Sequence, residues 1–339
     1  MVEAIKALYD NSMSCVLVDG KLTNEFKITT GVLQGDVLAP FLFIIVVDYV
    51  MHDCEMDKFG FICEKRKSRR HQEKKLSDLD YADDICLLEN NIAEAQNQLN
   101  KLAKSAVNVG LVINIKKTEY IANIDSKEKL VINGEQLQQV EDFKYLGAHL
   151  QSSEKDLEIR TGQAWSAFWK LKKIWESKSI PAKLKINLFQ ASCLSILLYG
   201  SETWLITEKM KSKLNSFANQ CYRIMLGIRY QDHITNEEIY KRLNVQKLYK
   251  TVVKRQLDWV GHICRRDEYE PLKMFDFYQP THGTNNRGQQ SLDYLNYIIG
   301  LLNNGSRDKK YFKLLDVVAD AKNLLNWKRI VLACSKTAE

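Results

Sequence analysis

A chain of 339 residues, 45% hydrophobic and 27% charged, is long enough for two ordinary domains and has a globular composition, which excludes a wholly disordered protein. Its eight cysteines include no Cys-x-x-Cys pair, which argues against a disulfide framework and a zinc finger, and its longest strongly apolar stretch, Phe41 to Val47, falls far short of the roughly 20 residues of a membrane-spanning helix. The net charge of +7 supports an acidic partner without identifying one, and residues 1–6 lack the pattern of a secretory signal, so an intracellular location, nuclear or cytoplasmic, is expected.

The first dozen residues place Ala4, Ile5 and Leu8 at helical spacing and read as a helix ending near Asp10 and Asn11. Strand-like runs follow at Cys15–Val18 and Phe26–Ile28, with Asp19-Gly20 between them as a turn signal. Thr30 to Asp36 is a glycine-punctuated loop, and Pro40 opens an apolar helix expected to reach about Met56. Residues 65–75 then pack seven cations into eleven positions with Glu73 alone opposing them, a run that belongs in solvent. Leu76–Tyr81 and Ile85–Leu88 flank a polar tip at Asp83-Asp84 and predict a tight strand-turn-strand unit. A helix over 92–107 carries Ala95, Leu99, Leu102 and Ala106 on one face and stops at Gly110, and short strands are expected at 119–123, 129–132 and 143–149, with Asn133-Gly134 as a second turn.

From Glu154 onward the strand signals fade. Helices are predicted at about 155–176, 182–199, 208–226, 236–243 and 247–266, which sets a domain boundary near 150. Ala164, Phe168, Leu171 and Trp175 make a core stripe in the first of them, leaving Trp165 and Trp169 on a neighbouring face beside Lys172 and Lys173; packing and a duplex-tracking face are both open readings. A polar linker at 283–288 precedes helices expected at 291–302 and 308–334. His262-x-Cys264 with His282 downstream fits no common zinc spacing, and no metal is assigned to it.

Two neighbouring carboxylates at the tip of a hydrophobic hairpin repel each other, and a bound divalent cation removes that cost. Two such ions about 4 Å apart can clamp both oxygens of an in-line phosphoryl displacement. An exposed Asp-Asp turn with no ligand is the plainer alternative for the pair taken alone.

Tyr81-Ala82-Asp83-Asp84 resembles the signature box of reverse transcriptases, and further boxes stand in the family's order. Thr30-Gly31-Val32-Leu33-Gln34-Gly35-Asp36-Val37-Leu38-Ala39-Pro40 with Phe43 resembles the template and nucleotide box, Gly110-Leu111 with Asn114 and Lys117-Thr118 the lysine box, and Phe143-Lys144-Tyr145-Leu146-Gly147 the primer grip. The style of these boxes is that of non-LTR (LINE-type) retrotransposons. Leu198 to Trp204 and Trp259 to Arg265 are similar to segments that follow the palm in such elements.

The resemblance implies an α+β fold, a partial reverse-transcriptase palm over 1–150 followed by an all-helical thumb and connection over 151–282 and a helical tail over 283–339. It implies an RNA-directed DNA polymerase that uses an RNA template, a DNA primer and dNTPs, with two Mg²⁺ ions in a complete site. Asp83 and Asp84 become metal ligands; Gln34, Gly35 and Tyr81 become nucleotide and template contacts. Lys117 becomes either a proton donor to pyrophosphate or a neutralising cation, with an ordinary surface lysine as the alternative. Phe143, Tyr145, Leu146 and Gly147 become the primer grip, though both rings could equally pack in a core. The run containing Lys65, Arg66, Lys67, Arg69 and Arg70 meets nucleic-acid backbone in this reading; a solvated loop and a nuclear import signal are its alternatives. The family's third aspartate lies on a strand before the first helix, and neither Asp10 nor Asp19 has the context to replace it. The fingers are likewise expected to be missing, so the isolated chain is expected to be weak or inactive, with a non-catalytic nucleic-acid-binding remnant as the alternative function.

Overall fold

The computed structural model describes residues 2–10, 12–33, 35–54, 58–64, 73–123, 128–149, 152–267, 294–305 and 310–337. The chain divides into two compact units, residues 1–141 and 142–339. The α+β character expected from the sequence is present, with the strands in the first unit and at the start of the second. Those strands form two-stranded ladders rather than one continuous sheet among the described residues.

In the first unit, α1 (Val2–Tyr9) precedes β1 (Met13–Ser14), β2 (Leu17–Val18), β3 (Lys21–Leu22) and β4 (Phe26–Lys27). Asp19 and Gly20 take positive φ values of 48° and 77°, so β2 turns directly into β3, while β1 pairs with β4 further out. Helix α2 (Ala39–Asp53) starts with Pro40 in its first turn, where the missing N–H costs nothing. Ladder β5 (Phe61–Glu64) with β6 (Lys74–Leu76) leads to β7 (Asp78–Tyr81), β8 (Asp84–Leu87) and α3 (Ile92–Asn108). The side chain of Asn91 accepts from the Glu94 backbone N–H and caps α3, and Gly110 lies just beyond its end at φ 80°. The unit closes with β9 (Glu119–Tyr120), β10 (Val131–Ile132), β11 (Glu135–Gln136) and β12 (Gln138–Gln139), β12 lying parallel to β9.

Two small cores hold this unit. Val47, Val50 and Met51 of α2, with Cys54 just after its end, meet Leu102 and Ala106 of α3, with Ile85 and Leu87 of β8 against them. Leu99 packs with Leu130, Ile132 and Leu137 on the other side of α3. The opposite face of α2 exposes Phe41, Ile44, Ile45 and Tyr49 at helical spacing, and α1 buries nothing among the described residues.

The second unit begins with β13 (Lys144–Tyr145) and β14 (Ala148–His149), followed by α4 (Ser153–Lys170), α5 (Lys172–Glu176), α6 (Ala182–Phe189), α7 (Ser195–Leu197), α8 (Glu208–Leu226), α9 (Asn236–Leu243), α10 (Leu248–Cys264), α11 (Tyr294–Gly305), α12 (Leu314–Ala321) and α13 (Leu324–Thr337). The division falls at 141/142, and the β13–β14 hairpin just after it is hydrogen-bonded into these helices. Side-chain oxygens of Ser152, Thr207 and Thr235 cap α4, α8 and α9. One continuous core joins Phe168, Trp175, Phe189, Leu214, Phe217, Val252, Leu257, Val260 and Trp327. The last predicted helix is two helices, because Asn323 accepts from the backbone N–H groups of Leu325 and Asn326 and starts a new one there. No helix among the described residues is long and apolar enough to cross a membrane.

Candidate active site

The register of β7 and β8 pairs Asp78 with Leu87, Leu79 with Cys86, Asp80 with Ile85 and Tyr81 with Asp84. The tip is therefore Ala82-Asp83 and not Asp83-Asp84: Ala82 takes the left-handed φ of 55°, and Asp84 is already the first residue of the return strand. Asp83 projects from the turn, whereas Asp84 shares a sheet face with Tyr81. All three are exposed.

Strand parity also sorts the acidic residues. Asp78 and Asp80 lie on the face of Ile85 and Leu87, which pack against α2 and α3, and so point away from the face of Asp84. Loss of hydration there, followed by the charge of Asp78, pushes the Asp80 carboxyl up to about 6. The residue still keeps substantial solvent exposure, so the like-charge neighbour is the firmer of the two causes.

The base of the hairpin is tied down. Ser77 O accepts from Leu88 N at 2.8 Å and from Gln98 Nε2 at 3.0 Å, Gln98 being wholly buried. Gly60 passes so close that a Cβ there would lie 2.8 Å from Leu76 C and O, and Glu89 and Asn90 hydrogen-bond to its backbone. A held base with a free apex presents Asp83 and Asp84 outward on a rigid support. The sequence signal for Gln98 was available, since it interrupts the apolar stripe of α3; Gly60 carried none.

The other residues singled out from sequence sit as follows. Gly35 has φ 93° and no atom within 4 Å of the position of an added Cβ, so its conformation demands glycine and the space beside it is open. Asp36, next to it, accepts from the Tyr9 hydroxyl at 2.6 Å and from Leu38 N, which ties the loop to the end of α1. These hydrogen bonds, Tyr9 first, hold the Asp36 carboxyl below its ordinary range. Lys117 is exposed on the turn closed by the Asn114 carbonyl. Phe143 and Tyr145 stack with centroids 6.5 Å apart, flanking the exposed Lys144. Gln34 and the run containing Lys65, Arg66, Lys67, Arg69 and Arg70 lie outside the described residues.

Trp165 packs edge-on against Phe217 at 4.8 Å, so it belongs to the core, while Trp169 remains about half exposed at 49%. Cys264 is buried in the helical core and His262 turns outward toward Arg266. Gly261 faces the indole of Trp327, which gives the Trp259–Arg265 segment a packing role. Among the described residues no group of three or more His, Cys, Asp or Glu side chains is placed to hold a metal ion. Asp83 and Asp84 are exposed carboxylates that could offer oxygens to Mg²⁺, with water and phosphate oxygens completing its shell.

Residues 2–150 match the family model described as reverse transcriptase (RNA-dependent DNA polymerase). This stretch is a reverse transcriptase domain, of the non-LTR retrotransposon kind. Relatives of the chain include a putative uncharacterized transposon-derived protein of Caenorhabditis elegans, 29% identical over 58% of this chain and 74% of the relative. Two retrovirus-related Pol polyproteins from the type-1 retrotransposable element R2 of Popillia japonica are 25% and 24% identical over 66% and 81% of this chain. The matches span 37% and 38% of those polyproteins, so the shared region is a minor part of their length. Reverse transcriptases use a nucleic-acid template and deoxynucleoside triphosphates, and it is residues 2–150 that match this family of RNA-dependent DNA polymerases.

Proposed function

We propose that this chain contributes the Tyr-Ala-Asp-Asp part of a retrotransposon polymerase centre, in which residues 1–150 belong to the palm, 151–282 to a helical thumb and 283–339 to a helical tail. The observation that carries the reading is the exposed Asp83 and Asp84 pair at the apex of a hairpin whose base is held by Gln98 and Gly60. Catalysis of phosphoryl transfer is mostly positioning and electrostatics, and a held base with an open apex supplies both.

Asp83 and Asp84 would hold magnesium, two ions in a complete site, which would activate the primer hydroxyl and offset charge on the leaving pyrophosphate. The chain's own residues would do the remainder. Gly35 leaves room for a base pair against the backbone, Gln34 offers an amide, and Tyr81 shares the face of Asp84. Lys117 neutralises pyrophosphate, while Phe143, Tyr145, Leu146 and Gly147 hold the primer end. The basic run from Lys65 to Arg70 meets template or primer phosphates without reading sequence.

Primer extension on an RNA template, with Mg²⁺ and with Mn²⁺, tests this. Extension that is lost in Asp83→Ala and in Asp84→Ala is expected. Extension indifferent to both substitutions refutes the metal assignment. A second reading is a nucleic-acid-binding remnant without chemistry. It requires salt-dependent binding with no dNTP incorporation.

A further inference from the structure

The Leu146–Gly147 turn between β13 and β14 holds a leucine at φ 47° and a glycine at φ 84°. A left-handed leucine is strained and persists only where its surroundings impose it. Both of its carbonyls are taken by side chains from elsewhere. Leu146 O accepts from the Tyr199 hydroxyl at 2.8 Å, and Gly147 O accepts a short hydrogen bond from Arg160 Nη2. The Tyr199 ring also stacks under the Arg160 guanidinium, 4.6 Å from its centroid, and lies 3.6 Å from where a Cβ on Gly147 would stand.

Arg160 is itself held. Its Nε donates to Asp156 Oδ2 at 3.2 Å and its Nη1 to Ile196 O at 3.3 Å, in an ion pair whose side chains are 7% and 3% exposed. Trp204 Nε1 donates to the same Asp156 oxygen at 2.9 Å, and Asp156 Oδ1 meets the backbone N–H of His149 in β14. Lysine has no planar fork of five donors and could not satisfy the carboxylate and two carbonyls together.

The segment that supplies Tyr199 and Trp204 is anchored in turn from α10 and α11. Arg255 Nη1 donates to Leu198 O at 2.6 Å, Gln256 Nε2 donates to Ser201 O and Trp204 O, and the Tyr294 hydroxyl donates to Glu202 O. The Leu198–Trp204 motif, which the sequence singles out without a role, thus stands between the C-terminal helices and the hairpin turn.

We propose that Arg160, Asp156, Tyr199 and Trp204 form a latch that sets the conformation of the Leu146–Gly147 turn, and that they act as positioning residues for the end of a nucleic-acid strand seated on that hairpin. This rests on the primer-grip reading of 143–147. A buried pair could serve stability alone, so the test reads placement of a strand end and not only melting.

The measurement is the ratio of affinities of the full chain for two DNA–RNA duplexes, one with a recessed 3′ primer end and one whose 3′ end is closed in a loop. Wild type is expected to prefer the recessed end. Tyr199→Phe deletes one hydrogen bond at a half-exposed ring, and is expected to lower that preference about three- to tenfold with thermal unfolding unchanged. Arg160→Lys is expected to lower it further; should that variant fold poorly, Tyr199→Phe decides alone. Phe143→Ala with Tyr145→Ala removes the hairpin's rings directly. If that double variant lowers the preference and Tyr199→Phe leaves it at the wild-type value, the latch is overturned. If the double variant also leaves it untouched, or wild type shows no preference, the primer-grip reading itself fails.

Discussion

Gly261 sits in the last turn of α10, where glycine weakens a helix by at most about 1 kcal/mol relative to alanine. Gly261→Ala should therefore stabilise the protein if nothing lay against it. The structure reverses that sign. A Cβ at this position would lie 2.0 Å from Trp327 Nε1 and 2.3 Å from its Cδ1, while Trp327 is 1% exposed and donates to Leu257 O at 2.8 Å. The indole must move, at an overpacking cost of about 1–3 kcal/mol and the loss of a buried hydrogen bond of about 1 kcal/mol, against a gain of at most about 1 kcal/mol in helix propensity. The net expectation is a destabilisation of about 2 kcal/mol, rising to about 4 kcal/mol if α13 is displaced and the tryptophan leaves its site. Urea unfolding followed by far-ultraviolet circular dichroism measures it, analysed on the transition of the helical unit because two units need not unfold together. A double-mutant cycle isolates the cause: in a Trp327→Ala background the same substitution should become neutral or stabilising. A neutral or stabilising Gly261→Ala in the wild-type background, or an unchanged cost once Trp327 is gone, refutes the reasoning.

Lys185 is buried, and its Nζ donates to Trp175 O at 2.6 Å and Met225 O at 3.0 Å, carbonyls at the C-terminal ends of α5 and α8. Lys185→Met keeps the volume but strands both acceptors and should cost about 1–3 kcal/mol in urea unfolding; no loss would mean that water satisfies them. Asp80, with its carboxyl raised to about 6 from an ordinary 3.8, binds its proton more tightly folded than unfolded. Its ionisation thus removes stability as pH rises through that window, and Asp80→Asn should stabilise at pH 7 by about 1 kcal/mol, discounted for solvent screening, with the gain fading by pH 4. An equal gain at both pH values would exclude titration as its source. Changing Lys65, Arg66, Lys67, Arg69 and Arg70 to glutamine should flatten the dependence of log affinity on log salt by about 0.7–0.9 for each phosphate left without its cation, and an unchanged slope would remove that run from the nucleic-acid interface.

Much of the helical unit is legible in the sequence because its signals are local. Helices α8, α9 and α10 stand within a residue or two of the ranges expected from the sequence. The Tyr-Ala-Asp-Asp hairpin is legible for the same reason, alternation on both sides of a polar turn. The identity of its tip is not, since either Ala82-Asp83 or Asp83-Asp84 satisfies that alternation. Only the cross-strand partnership of Tyr81 with Asp84 decides it. The strands of the first unit are shorter than their apolar runs suggest, as at Leu17–Val18 within 15–18, because β-strands need partners that periodicity does not name.

What periodicity conceals is also patterned. Gln98 interrupts the stripe of Ala95, Leu99 and Leu102; Arg160 stands between Leu157 and Ala164; Lys185 lies beside Ile186; and Gln256 lies beside Val252, Val253 and Leu257. All four are buried. Each donates to backbone carbonyls distant in sequence: Gln98 to Ser77, Arg160 to Gly147 and Ile196, Lys185 to Trp175 and Met225, Gln256 to Ser201 and Trp204. A buried donor without an acceptor is costly, and turns and helix ends are where carbonyls lack partners. A polar residue inside an apolar stripe is therefore a sign that some turn or helix end will be pinned there. In this chain that sign points to two structures of functional interest, the base of the carboxylate hairpin through Gln98 and the Leu146–Gly147 turn through Arg160. Sequence marks the donor, and only the fold names the carbonyl it reaches.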